Sequence, residues 1–297
     1  MMEEREITKE KLKNEIGISS ATMAKLSKNE EVAMSTIQSL CNYFDCQPGA
    51  ILSYEKEIDE NSILFRLKEE MDMKLKGGLY HQTQVRLAYN SNHMEGSRLT
   101  EDQTRSIYET QTIGVTEGHE KIDDIIETVN HFRCFDYILS VADNELSEEI
   151  MKHIHLILKS GTTDSQKEWF SVGDYKKRPN MIGDIETTHP SKVAREIRQL
   201  LKNYRENSNT TFEDIVDFHY KFEKIHPFQD GNGRVGRLIM FKECLKYNIP
   251  PFIIEDISKD YYRRGLKEYA IEKGYLLETC RAAQDTYKKL LEYFEYI

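Results

Sequence analysis

The chain has no long apolar run. Nowhere in its 297 residues is there a stretch near the ~20 consecutive apolar residues that span a bilayer as a helix. The opening MMEEREITKE is acidic and has no apolar centre, so it does not read as a signal peptide. Cysteine is scarce and odd in number. Of the five (Cys41, Cys46, Cys134, Cys244, Cys280), Cys41 and Cys46 form the one close pair, and no second pair completes a zinc site. Reduced, buried thiols in a cytoplasmic protein are the expectation. Positive charge is in deficit: 41 Lys and Arg against 51 Asp and Glu give a net charge of −10. That argues against a general nucleic-acid coat, while leaving room for a local basic surface. Strand-like alternation is nearly missing too. Glycine is sparse, 15 in the whole chain, yet three glycines crowd into IHPFQDGNGRVGR, Ile225 to Arg237.

What is present reads as helix. Hydrophobic content of 39% and charged content of 31% suit a soluble globular protein. The length suggests about two domains at roughly 150 residues each, or one large domain with a small appendage. Apolar residues recur at three- and four-residue spacing. Ile122, Ile125, Ile126 and Val129 mark one face, running on toward Ile138 and Leu139. Ile150, Ile154 and Leu158 mark another, with Ser147 placed to cap it. Phe212, Ile215, Val216, Phe222 and Ile225 mark a third. Leu238, Phe241 and Leu245 mark a fourth, which must end before Pro250-Pro251. Residues 258–297 read as two or three more helices. The expected fold class is all-α. EKEIDENS (Glu55 to Ser62) is short and acidic, and a linker is expected over residues 55–67. Lys176 to Lys192 carries two prolines and a glycine without helical period, and reads as an extended loop or short hairpin.

Residues 1–54 stand apart. ITKEKLKNEIGISSATMAKLSKNE resembles the helix-turn-helix of the lambda-repressor-like (XRE) family. Leu12 and Ile16 would face a small core, Gly17 would sit at the turn, and SSATMAKLSKN would be the recognition helix. The segment departs from the family in one respect, because only seven residues precede Thr8, where the family has its first helix. Up to Asp45 it carries six Lys and Arg against eight Asp and Glu, a thin surface for neutralising phosphates. Two uses stand open: specific DNA binding, or a docking or dimerisation appendage.

The stretch Ile225 to Arg237 carries the chemistry. Pro227 lacks an N–H and disfavours helix in the residue before it, so His226 sits at a helix end. A second helix opens near Gly233. The small residues Gly231, Asn232 and Gly233 let backbone N–H groups approach an anion at that helix N-terminus. Arg234 and Arg237 lie three apart, about 4.5 Å along the axis, and their guanidinium forks suit phosphate oxygens. Asp230 is a hard oxygen ligand beside the anion site, suited to Mg2+ shared with substrate phosphates. His226 can act as general base on an attacking hydroxyl. The order base, metal carboxylate, anion-binding turn and two arginines describes a site that handles polyphosphate.

These residues also match the Fic-domain motif H-x-F-x-[D/E]-G-N-G-R-x-x-R at all eight fixed positions: His226, Phe228, Asp230, Gly231, Asn232, Gly233, Arg234 and Arg237. The chain is identified as resembling Fic proteins over residues 68–297. The resemblance implies a helical core with a short β-hairpin flap, and transfer of AMP from ATP, with Mg2+, to a Ser, Thr or Tyr hydroxyl of a protein. It implies that His226 deprotonates the target hydroxyl and that Asp230 binds the Mg2+ bridging the α- and β-phosphates. The turn at 231–233 would form the anion hole, and Phe228 would anchor the loop. Arg234 and Arg237 would hold the β- and γ-phosphates. The related Doc toxins carry Lys in place of Gly233 and phosphorylate instead, so the glycine here favours AMP transfer.

A second element resembles the inhibitory helix of many Fic proteins. Within YNSNHMEGSRLT, Ser91 to Gly96 spell S-x-x-x-E-G. The resemblance implies that Glu95 pairs with the second arginine, Arg237. A charge-assisted hydrogen bond is worth about 1.5–3 kcal/mol, and Arg237 cannot serve both Glu95 and a γ-phosphate. The same glutamate could instead orient a water that removes AMP from a modified target. The loop around Arg178 to His189 lies where the family carries its flap, with Met181 and Ile182 as candidates to grip an extended target. DYYRRGLKEY resembles the region lining the adenine pocket, where Tyr262 and Leu266 would pack either the base or the core. His219 falls on the helical face of His226, two turns back, and reads as a core histidine. A self-inhibited adenylyltransferase is the leading expectation. An enzyme that also removes AMP, and a DNA-binding regulator with the Fic core as sensor, are the alternatives. The family often forms homodimers or higher assemblies.

Overall fold

The computed structural model describes residues 7–28, 30–52, 61–114, 119–183, 185–207 and 209–296. The chain divides into two units, Met1–Ile58 and Asp59–Ile297. Among its described residues the smaller holds three α-helices: α1 (Lys9–Ile16), α2 (Ser20–Ser27) and α3 (Met34–Phe44). Thr8 opens α1 by accepting the Lys11 N–H at 3.2 Å, and Ser19 opens α2 by accepting that of Thr22 at 3.0 Å. Such caps satisfy donors that a helix start leaves free. Between them Gly17 adopts φ 70°, the left-handed conformation that ends α1 at little steric cost. Leu12 packs with Ile37, Leu40, Cys41 and Phe44, and Ile16 lies against this cluster half-buried. Asn29, at the end of the expected recognition helix, lies outside the described residues.

The larger unit runs α4 (Ile63–Met73), α5 (Leu79–Met94), α6 (Glu101–Thr110), α7 (Ile122–Ser140) and α8 (Glu148–Lys159). A hairpin of β1 (Met181–Ile182) and β2 (Ile185–Glu186) follows, then α9 (Pro190–Arg205), α10 (Phe212–Ile225), α11 (Asn232–Lys246), α12 (Lys259–Glu268) and α13 (Gly274–Tyr293). The strands pair antiparallel, Met181 with Glu186 and Ile182 with Ile185. Among the described residues no helix is long and apolar enough to cross a membrane.

The expected linker over 55–67 needs correction. Residues 53–60 lie outside the described residues, but 63–67 open α4. Ser62 caps that helix, accepting the Phe65 N–H at 3.1 Å, and Ile63, Leu64 and Leu67 are buried in the main core. An apolar stripe at i, i+1 and i+4 outweighs the acidic tract before it. At the centre lies α11, in which 13 of 15 residues are buried, so it packs on every side and not along one stripe. Phe241 sits edge-on between Phe135 at 5.3 Å and Tyr287 at 5.8 Å. This central helix fixes the arginines near its start against α5, α7, α8 and α10.

The closing pair α12–α13 is joined through a glycine. A Cβ on Gly265 would lie 2.7 Å from Leu276 Cα and 2.9 Å from Leu276 N, both backbone atoms. Alanine gains about 1 kcal/mol over glycine in a helix, but overpacking against rigid backbone costs roughly 1–3 kcal/mol or more. Gly265→Ala should therefore lower the urea midpoint despite its better helix propensity. An unchanged or raised midpoint would show that the two helices can separate without loss.

Candidate active site

Helix α10 ends at His226, whose φ of 52° and ψ of 63° put it in the left-handed region; its N–H donates to Phe222 O at 2.9 Å. Few non-glycine residues adopt this conformation, and Pro227 prevents the helix from continuing. The loop then turns through Gly231, φ 79°, into α11. Asn232 holds the turn closed: its Oδ1 accepts the Phe228 N–H at 2.8 Å, and its Nδ2 donates to Phe228 O at 2.9 Å. The Asn232 side chain is thus spent on the loop, leaving backbone N–H groups to face an anion. Phe228 is fully buried and stacks on His155, with centroids 4.1 Å apart and planes 7° apart.

Arg237 is buried and bonded to α5 and its cap. Nε donates to Ser91 Oγ at 3.0 Å, and Nη2 donates to Ser91 O at 2.9 Å and to Glu95 Oε1 at 2.7 Å. Burial would raise the Glu95 carboxyl, but the Arg237 and Arg234 charges and the Arg237 hydrogen bond hold it below the usual range. Glu95 caps α5, and Gly96 follows with φ 97°. Gly233 leaves space for this contact, since a Cβ there would overlap Glu95 Oε1.

Arg234 meets two carboxylates. It is buried, with Nη1 donating to Glu127 of α7 and Nη2 to Asp230 Oδ2 at 3.2 Å. Lys159, at the end of α8, joins this cluster: Nζ reaches Asp230 Oδ2 at 2.7 Å, Glu127 Oε1 at 2.5 Å and Asp164 Oδ2 at 3.0 Å. Burial alone would raise the Asp230 carboxyl. The Arg234 and Lys159 charges, with hydrogen bonds from Lys159 and the Gly231 N–H, hold it well below the carboxylate range. Nothing in the sequence marked Lys159 or Glu127, which lie 71 and 103 residues before Asp230 on helices read only for their apolar faces.

His226 is ready to accept a proton. Burial, aided by the Lys176 charge, pushes its imidazole down to about 4, so the ring is neutral at pH 7. Nδ1 is buried, 4.0 Å from Glu223 Oε2. Glu223 is fully enclosed, and burial pushes its carboxyl up to about 8 against the opposing pull of Arg237. His219 bonds Tyr262 Oη at 2.6 Å, and burial holds it neutral, down to about 3. Tyr262 is buried in the second apolar cluster with Leu266 packed against it. The hairpin leaves Met181 57% and Ile182 44% exposed, with Ile185 beside them at 56%.

Glu223 generates a pH-dependent prediction. A group whose folded pKa is raised from 4.5 to about 8 stabilises fully below 4.5, and that contribution is lost as pH rises toward 8. One proton corresponds to a slope of about 1.4 kcal/mol per pH unit. The buried histidines have lowered values and push the other way, but they do so in wild type and variant alike. Between pH 5.5 and 7.5, Glu223→Gln should therefore gain stability relative to wild type, measured by urea unfolding. Parallel profiles would contradict the raised carboxyl.

Residues 145–244 match the Fic/DOC family model, and residues 1–57 match that of a Cro/C1-type HTH DNA-binding domain. The protein adenylyltransferase Fic of Drosophila yakuba is 26% identical over 193 residues, 60% of this chain and 36% of that protein. Its counterpart in Drosophila persimilis is 28% identical over 184 residues, 60% of this chain and 35% of that protein. The match thus spans about a third of these curated relatives, 36% and 35%. A Fic domain containing signaling protein from Bacteroides thetaiotaomicron superposes with TM-score 0.58 at 23% identity, covering 77% of this chain and 90% of that one. Fic-1 from C. elegans superposes with TM-score 0.61 at 16% identity, covering 78% and 71%. Those likenesses show the fold. The chain thus has a Fic-type helical fold, with a Fic/DOC family match at residues 145–244 and a Cro/C1-type HTH match at residues 1–57.

Proposed function

We propose that the larger unit transfers AMP from ATP to a Ser, Thr or Tyr hydroxyl of a protein, and that Glu95 restrains the reaction. The observation that carries this reading is the convergence at one helix start: a neutral His226, Asp230, a glycine-bounded turn and the Arg237–Glu95 pair. His226 Nε2 takes the proton of the target hydroxyl as its oxygen attacks the α-phosphorus. The bond from that phosphorus to the oxygen bridging to the β-phosphate breaks, and pyrophosphate leaves. The N–H groups opening α11 and the partial positive charge of its N-terminus favour the phosphates.

Asp230 would hold Mg2+ together with the substrate phosphates. Its Oδ2 is engaged by Lys159 and Arg234, while half of its side chain is exposed. Among the described residues no cluster of three His, Cys, Asp or Glu could hold a metal. Such a donor set fits an ion that arrives with polyphosphate. The ion would neutralise phosphate charge. Arg234, tied to Glu127 and Asp230, orients that carboxylate, and Arg237 is the arginine that must change partners for a γ-phosphate to bind productively. A reacting phosphorus misplaced by about 1 Å costs about 10²-fold in rate.

The smaller unit supports a second reading, contact with DNA. Its α2 lies beside two lysines, Lys9 donating to Ser27 at 2.9 Å and Lys13 to Ser20 at 2.7 Å. A gel shift that weakens with salt is expected of the full chain, and lost on Lys9→Glu/Lys13→Glu; no shift at low salt sinks this reading.

Intact mass after incubation with ATP and Mg2+ tests the main reading, with a cell lysate supplying targets in parallel. Glu95→Gly should incorporate AMP on the order of 10²-fold faster than wild type. Glu95→Gly/His226→Ala should incorporate none. Absence of transfer by Glu95→Gly to itself and to every lysate protein overturns the proposal.

A further inference from the structure

Lys176 is 3% exposed, and its ammonium touches no carboxylate. Nζ donates to Asn180 Oδ1 at 2.7 Å, Thr187 Oγ1 at 2.5 Å and Ile225 O at 3.4 Å. Three donors meet three neutral acceptors, the full capacity of the group. Asn180 stands one residue before β1 and Thr187 one after β2, so both stems of the hairpin converge on this amine. Thr187 Oγ1 also donates to Asn180 O at 3.0 Å. Ile225 O ends α10 immediately before His226, and the Lys176 N–H donates to Pro227 O, immediately after it, at 2.9 Å. Asn180 Nδ2 extends the seam to Phe228 O at 3.2 Å and Gln229 O at 3.4 Å. Carbonyls at 225, 227, 228 and 229 are thereby fixed to the hairpin.

We propose that Lys176 is a positioning residue, which locks the base of the hairpin to the turn carrying His226 and sets its charge against that imidazole. This rests on the proposed AMP transfer, in which a target strand lies along the hairpin edge and presents its hydroxyl to His226. A buried cation hydrogen-bonded only to neutral groups is costly, and apolar side chains could fill such a space more cheaply. The amine supplies two things that packing does not. It fixes both stems at one distance from the base, within the tolerance of about 1 Å that orientation demands. It also places a positive charge beside His226 that opposes protonation of the ring. The other groups facing that ring, Asp230, Glu95 and the Glu223 carbonyl, favour protonation. Glu196 of α9 faces Lys176 itself and favours its charge, while burial draws the amine down to about 8.

The test uses the full chain with Glu95→Gly as parent, labelled at histidine for NMR titration, and amide hydrogen exchange at the hairpin. Neither readout needs turnover. Lys176→Met should move the His226 midpoint upward by about one unit or more and speed exchange at residues 181–186. Lys176→Arg keeps the charge, so His226 should titrate as in the parent. Thr187→Val keeps the lysine, so it should speed hairpin exchange and leave His226 in place. If Lys176→Met does not fold, the arginine and valine variants decide by the same criteria. An unmoved His226 midpoint in Lys176→Met, or unchanged hairpin exchange in Thr187→Val, overturns the proposal. Failure of the parent to transfer AMP is a separate result, which strikes the proposed reaction and leaves these readings intact.

Discussion

Arg237 is a buried guanidinium, and a buried guanidinium must be paired. In this chain its partners come from 142 and 146 residues earlier, the Glu95 carboxylate and both the hydroxyl and carbonyl of Ser91. The contact ties α5 to the start of the central helix, and the elements nearby are arranged around it. Gly233 lacks a Cβ where the carboxylate lies. The last turn of α5 is held from the other side, with His93 2.9 Å from Asp256 and Arg263 donating to Met94 O at 3.1 Å. A pair with this support is specific in geometry, and a ligand that needs Arg237 must compete with it.

The electrostatics divide the site into two halves. On one side Lys159 and Arg234 lie among Glu127, Asp164 and Asp230, and their charges keep Asp230 ionised. On the other, His226, His219 and Glu223 are enclosed and hold the neutral form at pH 7. Charge is kept where polyphosphate and its ion would sit, and neutrality where a proton would move. The same burial drives both outcomes. It is overcome where opposite charges lie within about 3 Å, at Asp230, and prevails where they do not.

Much of the fold was legible because helices announce themselves locally. Ser147 caps α8, the stripe from Ile122 marks α7, and Pro227 stops α10 at His226. The motif spacing put base, carboxylate and arginines around one helix–loop–helix corner, since residues so close in sequence stay close in space. The rest depended on tertiary contact. Lys159 and Lys176 look like ordinary lysines until α8 and the hairpin reach the loop. The Glu127 partner of Arg234 comes from α7, far away in sequence. Tyr262 lies on an amphipathic helix, where pocket and core lead to the same pattern, and only packing distinguishes them. The polar run before Ser62 masked the apolar stripe that begins α4.

The central claim is that Glu95 and a γ-phosphate compete for one guanidinium. Titration calorimetry of ATP against ADP, on wild type and on Glu95→Gly, measures that competition directly. If Arg237 is held by Glu95, wild type should bind the two nucleotides with nearly equal affinity. Glu95→Gly should prefer ATP by roughly tenfold or more, the yield of one charge-assisted contact at about 1.5–3 kcal/mol. An equal preference in both proteins would contradict the account, because the γ-phosphate would then owe nothing to the arginine that Glu95 occupies.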